Sequence, residues 1–240
     1  MSGPELGWDG FRVFTPERTW GLAWILVRRA IHGFSRVRLW GRERIPKSGP
    51  VILAANHRSF YDIFVLGASV KRPIHYMAKV ELFENPVLGR LLPHTGAFPV
   101  RRGEVDRGAL EAAREVLERG GMLGIFIDGT RHHDTAVGEV RAGAAMIAAQ
   151  AGAPVVPVYI HGTDRVVDDP RAPVSIAFGR PIRIEGRGSK AYRAGADRIG
   201  DELRRLQAFV ESAERAGRPR DAVPPEPPEP PEPPAGGEAP

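Results

Sequence analysis

The sequence contains no cysteine among its 240 residues. This absence excludes disulfides, thiolate nucleophiles, iron–sulfur clusters and zinc sites built from cysteine. Lysine is also scarce, because only four of the 34 basic residues are lysine and the formal net charge of +5 is therefore carried by arginine. The arginine guanidinium matches planar oxyanions such as phosphate and carboxylate. The charge therefore favours nucleic acid, an anionic membrane or a phosphorylated substrate as the partner.

Long apolar runs are missing as well. The longest one near the N-terminus is Leu22–Val27, whereas a membrane-spanning helix needs about 20 apolar residues. The first ten residues contain neither the basic stretch nor the apolar stretch of a cleaved signal peptide. We therefore expect no transmembrane helix and a protein that stays in the cytoplasm.

Residues 1–35 combine an apolar helical stripe with several arginines. Thr15 and Pro16 are typical of the first positions of a helix. The apolar side chains that follow recur with helical period: Trp20, Trp24, Val27, Ile31 and Phe34. The flanking arginines, and the position of all four tryptophans within the first 40 residues, favour an amphipathic helix at the surface of an anionic membrane. Packing of the same helix on the protein core is the alternative interpretation.

Strand and helix patterns alternate over residues 36–216. Short apolar runs bounded by glycine or proline predict buried strands, and amphipathic or small-residue stretches that end at glycine predict helices. The predicted strands are 51–55, 74–78, 122–127, 155–160 and 174–178, with a further short strand between Gly96 and Gly103, and the predicted helices are 63–70, 106–119, 141–151 and 192–210. This alternation predicts an α/β domain with a mixed, largely parallel β-sheet flanked by helices.

The C-terminal residues 217–240 have a different composition. From Asp221 onward they contain five acidic residues, neither lysine nor arginine, and a repeated Pro-Pro-Glu unit. Such a sequence favours extended polyproline-type conformations and lacks the apolar residues of a core. We therefore expect a disordered, solvated tail.

A polar turn with acid–base character follows the strand predicted at 51–55. It contains His57 and Asp62, which would lie about 140° apart on one continuous helix. If His57 lies in the loop and Asp62 in the first helical turn, the carboxylate can orient the imidazole as a general base. Ser59 is not part of a nucleophile elbow and is interpreted as a helix N-cap. A purely structural His–Asp pair explains these residues alone equally well.

Further sequence motifs favour the general-base interpretation of His57 and Asp62 over the structural one. The pattern N-H-x-x-x-x-D of residues 56–62 resembles that of the glycerolipid acyltransferases, in particular the 1-acyl-glycerol-3-phosphate (lysophosphatidate) acyltransferase family. Further blocks resemble those of this family and follow in its order: 77–83, 96–103, 126–131 and 155–163. The resemblance covers about residues 36–186 and implies a glycerol-3-phosphate acyltransferase-like fold.

The resemblance implies roles for individual residues. His57 is the expected general base and Asp62 orients it. Three cations are expected to bind the substrate phosphate: Lys79, Arg102 and Arg131. Supporting roles fall to Asn56, Asp128, Gly129, Thr130 and Pro157. Asp128 stands where the family usually has glutamate, which leaves the identity of the acceptor open. Neighbouring His132 and His133 are interpreted as solvated, and no metal site is expected.

The implied activity is acyl transfer without a covalent acyl-enzyme. The acyl group moves from acyl-CoA or acyl-carrier protein to the free hydroxyl of 1-acyl-glycerol 3-phosphate and gives phosphatidic acid, with no further cofactor. The expected location is the cytoplasmic face of the plasma membrane, bound peripherally to anionic lipids. The alternatives are the same chemistry on another lipid or sugar acceptor, or a non-catalytic lipid-binding relative. Nucleic-acid binding is disfavoured because no helix-turn-helix, RRM or zinc-finger signature is present.

Overall fold

A computed structural model describes residues 28, 29, 31, 33, 36–101, 106–127, 137, 138 and 140–226. In this part of the chain the strands are β1 Arg36–Trp40, β2 Val51–Ala55, β3 Ile74–Lys79, β4 Phe98–Val100, β5 Met122–Phe126, β6 Val155–His161 and β7 Pro173–Phe178. The α-helices are α1 Tyr61–Ser69, α2 Glu81–Glu84, α3 Leu88–Leu91, α4 Arg107–Glu118, α5 Gly143–Ala151 and α6 Ser189–Arg215. Short 3-10 helices span Arg42–Arg44, Leu92–Thr95 and Thr163–Val167.

The strands form one mixed sheet in the order β1-β7-β6-β2-β5-β3-β4. Strands β6, β2, β5, β3 and β4 run parallel to one another. Strand β7 is antiparallel to β6, and β1 is parallel to β7. The carboxyl ends of the parallel strands therefore lie along one edge of the sheet, where α/β folds build their sites. The predicted α/β fold with a mixed, largely parallel sheet is confirmed.

Helices cover both faces of the sheet because the central strands are apolar on both sides. Side chains of a strand point alternately to opposite faces, and β2 follows this rule. Ile52 and Ala54 join the apolar cluster that includes α4, α5 and α6. Val51, Leu53 and Ala55 join the cluster on the α1 side. The result is a three-layer arrangement with the sheet in the middle.

The predicted elements within 51–216 are present, with ends that shift by a few residues. The predicted helix 63–70 is α1, which begins at Tyr61 and so includes Asp62 in its first turn. The predicted strand between Gly96 and Gly103 is β4. Strand β1 and the one-turn helices α2 and α3 were not predicted.

The N-terminal segment is described at four positions. Residues 28, 29, 31 and 33 are helical, and Ile31 packs against the apolar cluster on the α1 side. The rest of the predicted amphipathic helix, including Trp20 and Trp24, lies outside the described residues. Among the residues that are described, no helix combines the length and the apolar character needed to cross a bilayer.

Trp40 corrects the interpretation that grouped all four tryptophans with the membrane surface. Its side chain is only 2% exposed. The ring meets Phe209 of α6 edge to face at 5.5 Å, and Nε1 donates a hydrogen bond to the carbonyl oxygen of Pro219 at 2.9 Å. Trp40 is therefore a core residue that joins β1 to α6.

Residues 217–226 also differ from the free tail that their composition predicts. Arg44 donates to the carbonyl oxygen of Pro224 at 2.7 Å and pairs with Glu226 at 3.2 Å. Glu226 also pairs with Arg180, and Pro224 is buried. This first part of the predicted tail is therefore packed on the domain, and residues 227–240 lie outside the described part of the chain.

Candidate active site

The loop between β2 and α1 is anchored to β6 by Asn56. The Asn56 side chain is 4% exposed. Its Nδ2 donates to the carbonyl oxygen of Ile160 at 2.9 Å, and its Oδ1 accepts from the Ile160 backbone N–H at 2.7 Å. This pair of bonds continues the β2–β6 contact beyond the last residue of β2, so the next residue, His57, leaves the sheet at a defined position.

His57 and Asp62 form a buried pair at the carboxyl edge of the sheet. His57 Nδ1 donates to Asp62 Oδ2 at 2.8 Å, with His57 6% and Asp62 0% exposed. The backbone N–H groups of Arg58 and Ser59 donate to the same oxygen at 2.7 and 2.8 Å. The loop thus wraps around the carboxylate, which is the arrangement expected when the histidine precedes the helix and the aspartate begins it.

Thr163 completes the surroundings of the carboxylate. Its hydroxyl donates to Asp62 Oδ1 at 2.5 Å, and the residue is fully buried. Sequence reasoning included Thr163 in a family-like block without giving it a role. The contact joins residues 101 positions apart, so no local spacing signals it.

Two aromatic rings support the imidazole. Phe126, the last residue of β5, stacks on His57 with ring centroids 4.2 Å apart. Tyr76 of β3 stacks on Phe126 at 6.0 Å, and its hydroxyl donates to the carbonyl oxygen of Ile63 at 3.1 Å. Burial first, and the negative charge of Asp62 second, raise the pKa of Tyr76 well above its ordinary value. Tyr76 is therefore a neutral donor. Neither ring was predicted to contact the His–Asp pair.

In sequence, the residues predicted to bind phosphate come after other parallel strands, which end at the same edge of the sheet. Lys79 is the last residue of β3, and its Nζ pairs with Glu81 at 2.8 Å while both side chains stay half exposed. Arg102 follows β4 by two residues, and Arg131 follows β5 by five. Arg102 and Arg131 lie outside the described residues, as does the segment of Asp128, Gly129 and Thr130.

Pro157 and Ser59 belong neither to the His57–Asp62 pair nor to the predicted phosphate-binding residues. Pro157 lies within β6 in register with Ala54, three residues before His57, and its carbonyl oxygen accepts from the Gly179 N–H at 2.8 Å. It therefore belongs to the sheet rather than to its edge. Ser59 lies two residues before α1, and its hydroxyl accepts from the Tyr61 N–H at 3.3 Å. The N-cap position is Phe60, without a side-chain cap bond, so the prediction of Ser59 as the N-cap is wrong by one position.

This arrangement suits proton abstraction. A carboxylate only accepts hydrogen bonds, so in the contact with Asp62 the Nδ1 atom of His57 carries the proton and Nε2 carries the lone pair. A fixed carboxylate also stabilises the imidazolium that forms when Nε2 takes a proton. Within the described residues, no group of three or more His, Asp or Glu side chains is arranged to hold a metal ion.

A family model described as Acyltransferase matches residues 36–161, which is more than half of the chain. The chain belongs to the acyltransferase family. The matched range begins with β1 and ends with β6, so it includes the His57–Asp62 pair and the parallel strands around it. The family membership expected from the ordered motifs is confirmed.

Two relatives in the acyltransferase family are named for different acceptors. A chloroplastic 1-acyl-sn-glycerol-3-phosphate acyltransferase of Brassica napus is 31% identical over 180 residues, which cover 73% of this chain and 51% of the relative. A lyso-ornithine lipid O-acyltransferase of Pseudomonas aeruginosa is 32% identical over 160 residues, which cover 66% of this chain and 60% of the relative. The chain spans about half the length of the curated relatives it matches.

A solved structure in the acyltransferase family has the same fold. The crystal structure of the 1-acyl-sn-glycerophosphate acyltransferase PlsC from Thermotoga maritima matches with a TM-score of 0.67 and 25% sequence identity. The match covers 82% of this chain and 83% of the other.

Proposed function

We propose that this protein is an O-acyltransferase that forms phosphatidic acid. It transfers a fatty acyl group from acyl-CoA or an acyl-carrier protein to the free hydroxyl of 1-acyl-glycerol 3-phosphate. The observation that carries the proposal is the buried His57–Asp62 pair inside the region that matches the acyltransferase family. The names of the Brassica napus relative and of the Thermotoga maritima structure support this acceptor.

The proposed reaction is direct transfer. His57 Nε2 takes the proton of the acceptor hydroxyl as its oxygen attacks the thioester carbonyl carbon. The C–O bond forms, the C–S bond breaks, and the imidazolium returns the proton to the thiolate that leaves. A positioned general base contributes about 10²–10⁴ in rate. A thioester is already activated, so no acyl-enzyme is needed, and we propose that the acyl donor is the only co-substrate and that no cofactor takes part.

Lys79, Arg102 and Arg131 are proposed to bind the acceptor phosphate, with Asp128, Gly129 and Thr130 in support. The parallel strands that precede these cations end at the edge that carries His57, which supports a shared site. Arg102→Ala should raise the KM of the acceptor more than the KM of the donor, whereas Arg101→Ala, at the neighbouring position, should change neither. Equal increases in both KM values would contradict a phosphate-binding role for Arg102.

An apolar cavity offers a place for the acyl chain. It has a volume of about 280 Å³ and lies between β5 and helices α4 and α5. Its lining includes Leu110, Phe126, Met146 and Ile147. The Phe126 ring itself packs on the α1 side, where it stacks on His57. Because β5 lies beside β2 in the sheet, a chain in this cavity would begin near the edge that carries the general base. Ile147→Phe should therefore shift the donor preference toward shorter acyl chains, and an unchanged chain-length profile would contradict this placement.

A second candidate function is the same reaction on another lyso-lipid. The lyso-ornithine lipid O-acyltransferase of Pseudomonas aeruginosa is as similar in sequence as the phosphate-acceptor relatives. Asp128 also replaces the glutamate that is usual in the family. Acceptors with and without phosphate therefore belong in the same assay.

We also propose peripheral binding to anionic membranes at the cytoplasmic face of the plasma membrane through residues 1–35. The arginines and the remaining apolar residues of the stripe support the proposal, while Ile31 itself packs against the apolar cluster on the α1 side. Removal of residues 1–35 should reduce co-sedimentation with vesicles of anionic phospholipid. Unchanged sedimentation would instead favour packing of the segment on the core.

The deciding experiment is a thiol-release assay with vesicles and palmitoyl-CoA. Lysophosphatidate, glycerol 3-phosphate, lyso-ornithine lipid and no acceptor are compared, with palmitoylated acyl-carrier protein as a second donor. We expect release that depends on lysophosphatidate and disappears in His57→Ala. The matched control is His75→Ala, because His75 is also a buried histidine, 6% exposed, but it is the second residue of β3 and lies near the opposite edge of the sheet.

Each outcome of this assay separates the candidates. Release without any acceptor indicates a thioesterase, and release only with lyso-ornithine lipid selects the second function. Retained activity in His57→Ala contradicts the base assignment. Equal losses in His57→Ala and His75→Ala indicate damage to the fold rather than removal of a base.

A further inference from the structure

Asp62 receives its hydrogen bonds from two parts of the chain. Its Oδ2 atom accepts from His57 and from the backbone of its own loop. Its Oδ1 atom accepts from the Thr163 hydroxyl at 2.5 Å, which belongs to the segment after β6. Each carboxylate oxygen accepts hydrogen bonds from a different side. Thr163 and the loop together therefore define the plane of the carboxylate.

The segment after β6 is built to bring Thr163 to this position. Gly162 has a φ of +88°, and a Cβ atom there would lie 2.3 Å from the carbonyl oxygen of Pro173. Glycine is therefore required at the turn. Ile160, three residues before Thr163, holds Asn56 through two hydrogen bonds. The end of β6 thus holds the loop between β2 and α1 at two points. Asn56 anchors the beginning of the loop, and Thr163 anchors the Asp62 carboxylate.

From this geometry we infer that Thr163 is a positioning residue of the acyl transfer. It acts through Asp62, since it holds Oδ2 in line with His57 Nδ1 and stabilises the carboxylate that faces the imidazolium. The inference rests on the proposed function of the His57–Asp62 pair. It adds a third member to that pair, supplied by a distant part of the chain, and makes the β6 end part of the catalytic machinery.

The test compares Thr163→Val with Thr163→Ser. Valine keeps the shape of threonine but removes the donor, so kcat should fall about tenfold to a hundredfold, the effect of losing a hydrogen bond to a buried charge. The KM values of donor and acceptor should stay unchanged, because Thr163 is proposed to touch neither. Serine keeps the donor and should retain kcat close to that of the wild type.

A matched control is Ser69→Ala. Ser69 is 1% exposed and its hydroxyl donates to the Val65 carbonyl oxygen at 2.6 Å, at the other end of α1. This variant also loses a buried hydroxyl, but it should leave kcat unchanged. The ¹H NMR resonance of the His57 Nδ1 proton gives a second readout, which should shift in Thr163→Val and stay in place in Thr163→Ser and Ser69→Ala.

The coupling to Asp62 is tested by combining substitutions. If Thr163 acts only through the carboxylate, Thr163→Val should add no further loss in kcat to Asp62→Asn. A folded Thr163→Val with wild-type kcat and an unshifted proton resonance overturns the inference, and so does full additivity with Asp62→Asn. The proposed function fails separately, if His57→Ala keeps its activity.

Discussion

Asp62→Asn separates the charge of the carboxylate that is proposed to orient His57 from the shape of this carboxylate. Asparagine has nearly the same size, and its amide oxygen can take the place of Oδ2 and accept from His57 Nδ1 and from two backbone N–H groups, which lie 2.7 to 2.8 Å away in the wild type. The amide NH₂ then faces the Thr163 hydroxyl, which can rotate and accept. The variant should therefore keep the fold and lose only the negative charge.

The effect on stability follows from the four hydrogen bonds to Asp62. A bond to a charged group contributes about 1.5–3 kcal/mol and a neutral bond about 0.5–1.5 kcal/mol, so neutralisation removes about 4–6 kcal/mol in total. Burial of a neutral amide in place of a charge recovers several kcal/mol. We therefore expect the free energy of unfolding to change by no more than about 2 kcal/mol.

The effect on the reaction should be larger. The imidazolium of His57 loses a negative charge at 2.8 Å at the moment when it carries the abstracted proton. In a Ser-His-Asp triad the corresponding Asp→Asn change lowers kcat by about 10⁴, there together with a change of the histidine tautomer. We expect a loss of about 10³–10⁴ in kcat here, which corresponds to about 4–5.5 kcal/mol.

The assay combines thiol release at saturating substrate with urea unfolding of the same preparation. Asp62→Ala is the comparison, because it leaves all four donors without their acceptor and should lower stability by more than Asp62→Asn does. A folded Asp62→Asn with kcat within about tenfold of the wild type would refute the orienting role, since the charge would then supply less than about 1.4 kcal/mol.

Three further predictions concern stability and are measured by urea unfolding. Gly124→Ala places a Cβ atom 2.6 Å from the Tyr76 ring and should lower the free energy of unfolding by about 1–3 kcal/mol, whereas Gly143→Ala, with nothing within 4 Å, should not lower it. Arg218→Met removes a side chain that donates to two carbonyls and a hydroxyl of β1 and β7. It should lower the free energy of unfolding by about 2–4 kcal/mol, and an unchanged urea midpoint would contradict this. Burial raises the pKa of Glu202 above its ordinary value of 4.5, against the opposing charges of arginine neighbours. The folded state therefore retains this proton where the unfolded chain has lost it, and stability falls as pH rises from about 4.5 through the raised pKa. Glu202→Gln should gain stability relative to the wild type across that window, and a constant difference would refute the assignment.

The central strands and the His–Asp pair could be predicted because their signals are local. Strand β2 is an apolar run directly after Gly49 and Pro50, and its bounds agree with the prediction. His57 and Asp62 are five residues apart in one loop, so a helix that starts between them is enough to bring them together. The ordered family-like blocks then favoured acyl transfer over a structural pair.

Strand β1 was not predicted, and Trp40 was wrongly assigned to the membrane surface, because the signals for both are not local. The residues of β1 carry arginines beside apolar residues, and in sequence they continue the arginine-rich N-terminal segment. Their structure depends on pairing with β7, more than 130 residues away, and Trp40 is buried because α6 and residue 219 cover it. Neither partner is visible within a local window of sequence.

From the sequence alone, the fold class, most of the elements and the pairing of His57 with Asp62 could be predicted, because periodicity and motif spacing act over a few residues. Which groups surround that pair depends on the tertiary structure. Thr163 reaches Asp62 across 101 residues. Phe126 stacks on His57 because β5 lies beside β2, and Tyr76 stacks on Phe126 because β3 lies beside β5. Such contacts depend on strand order and register, which are set by the packing of the whole domain.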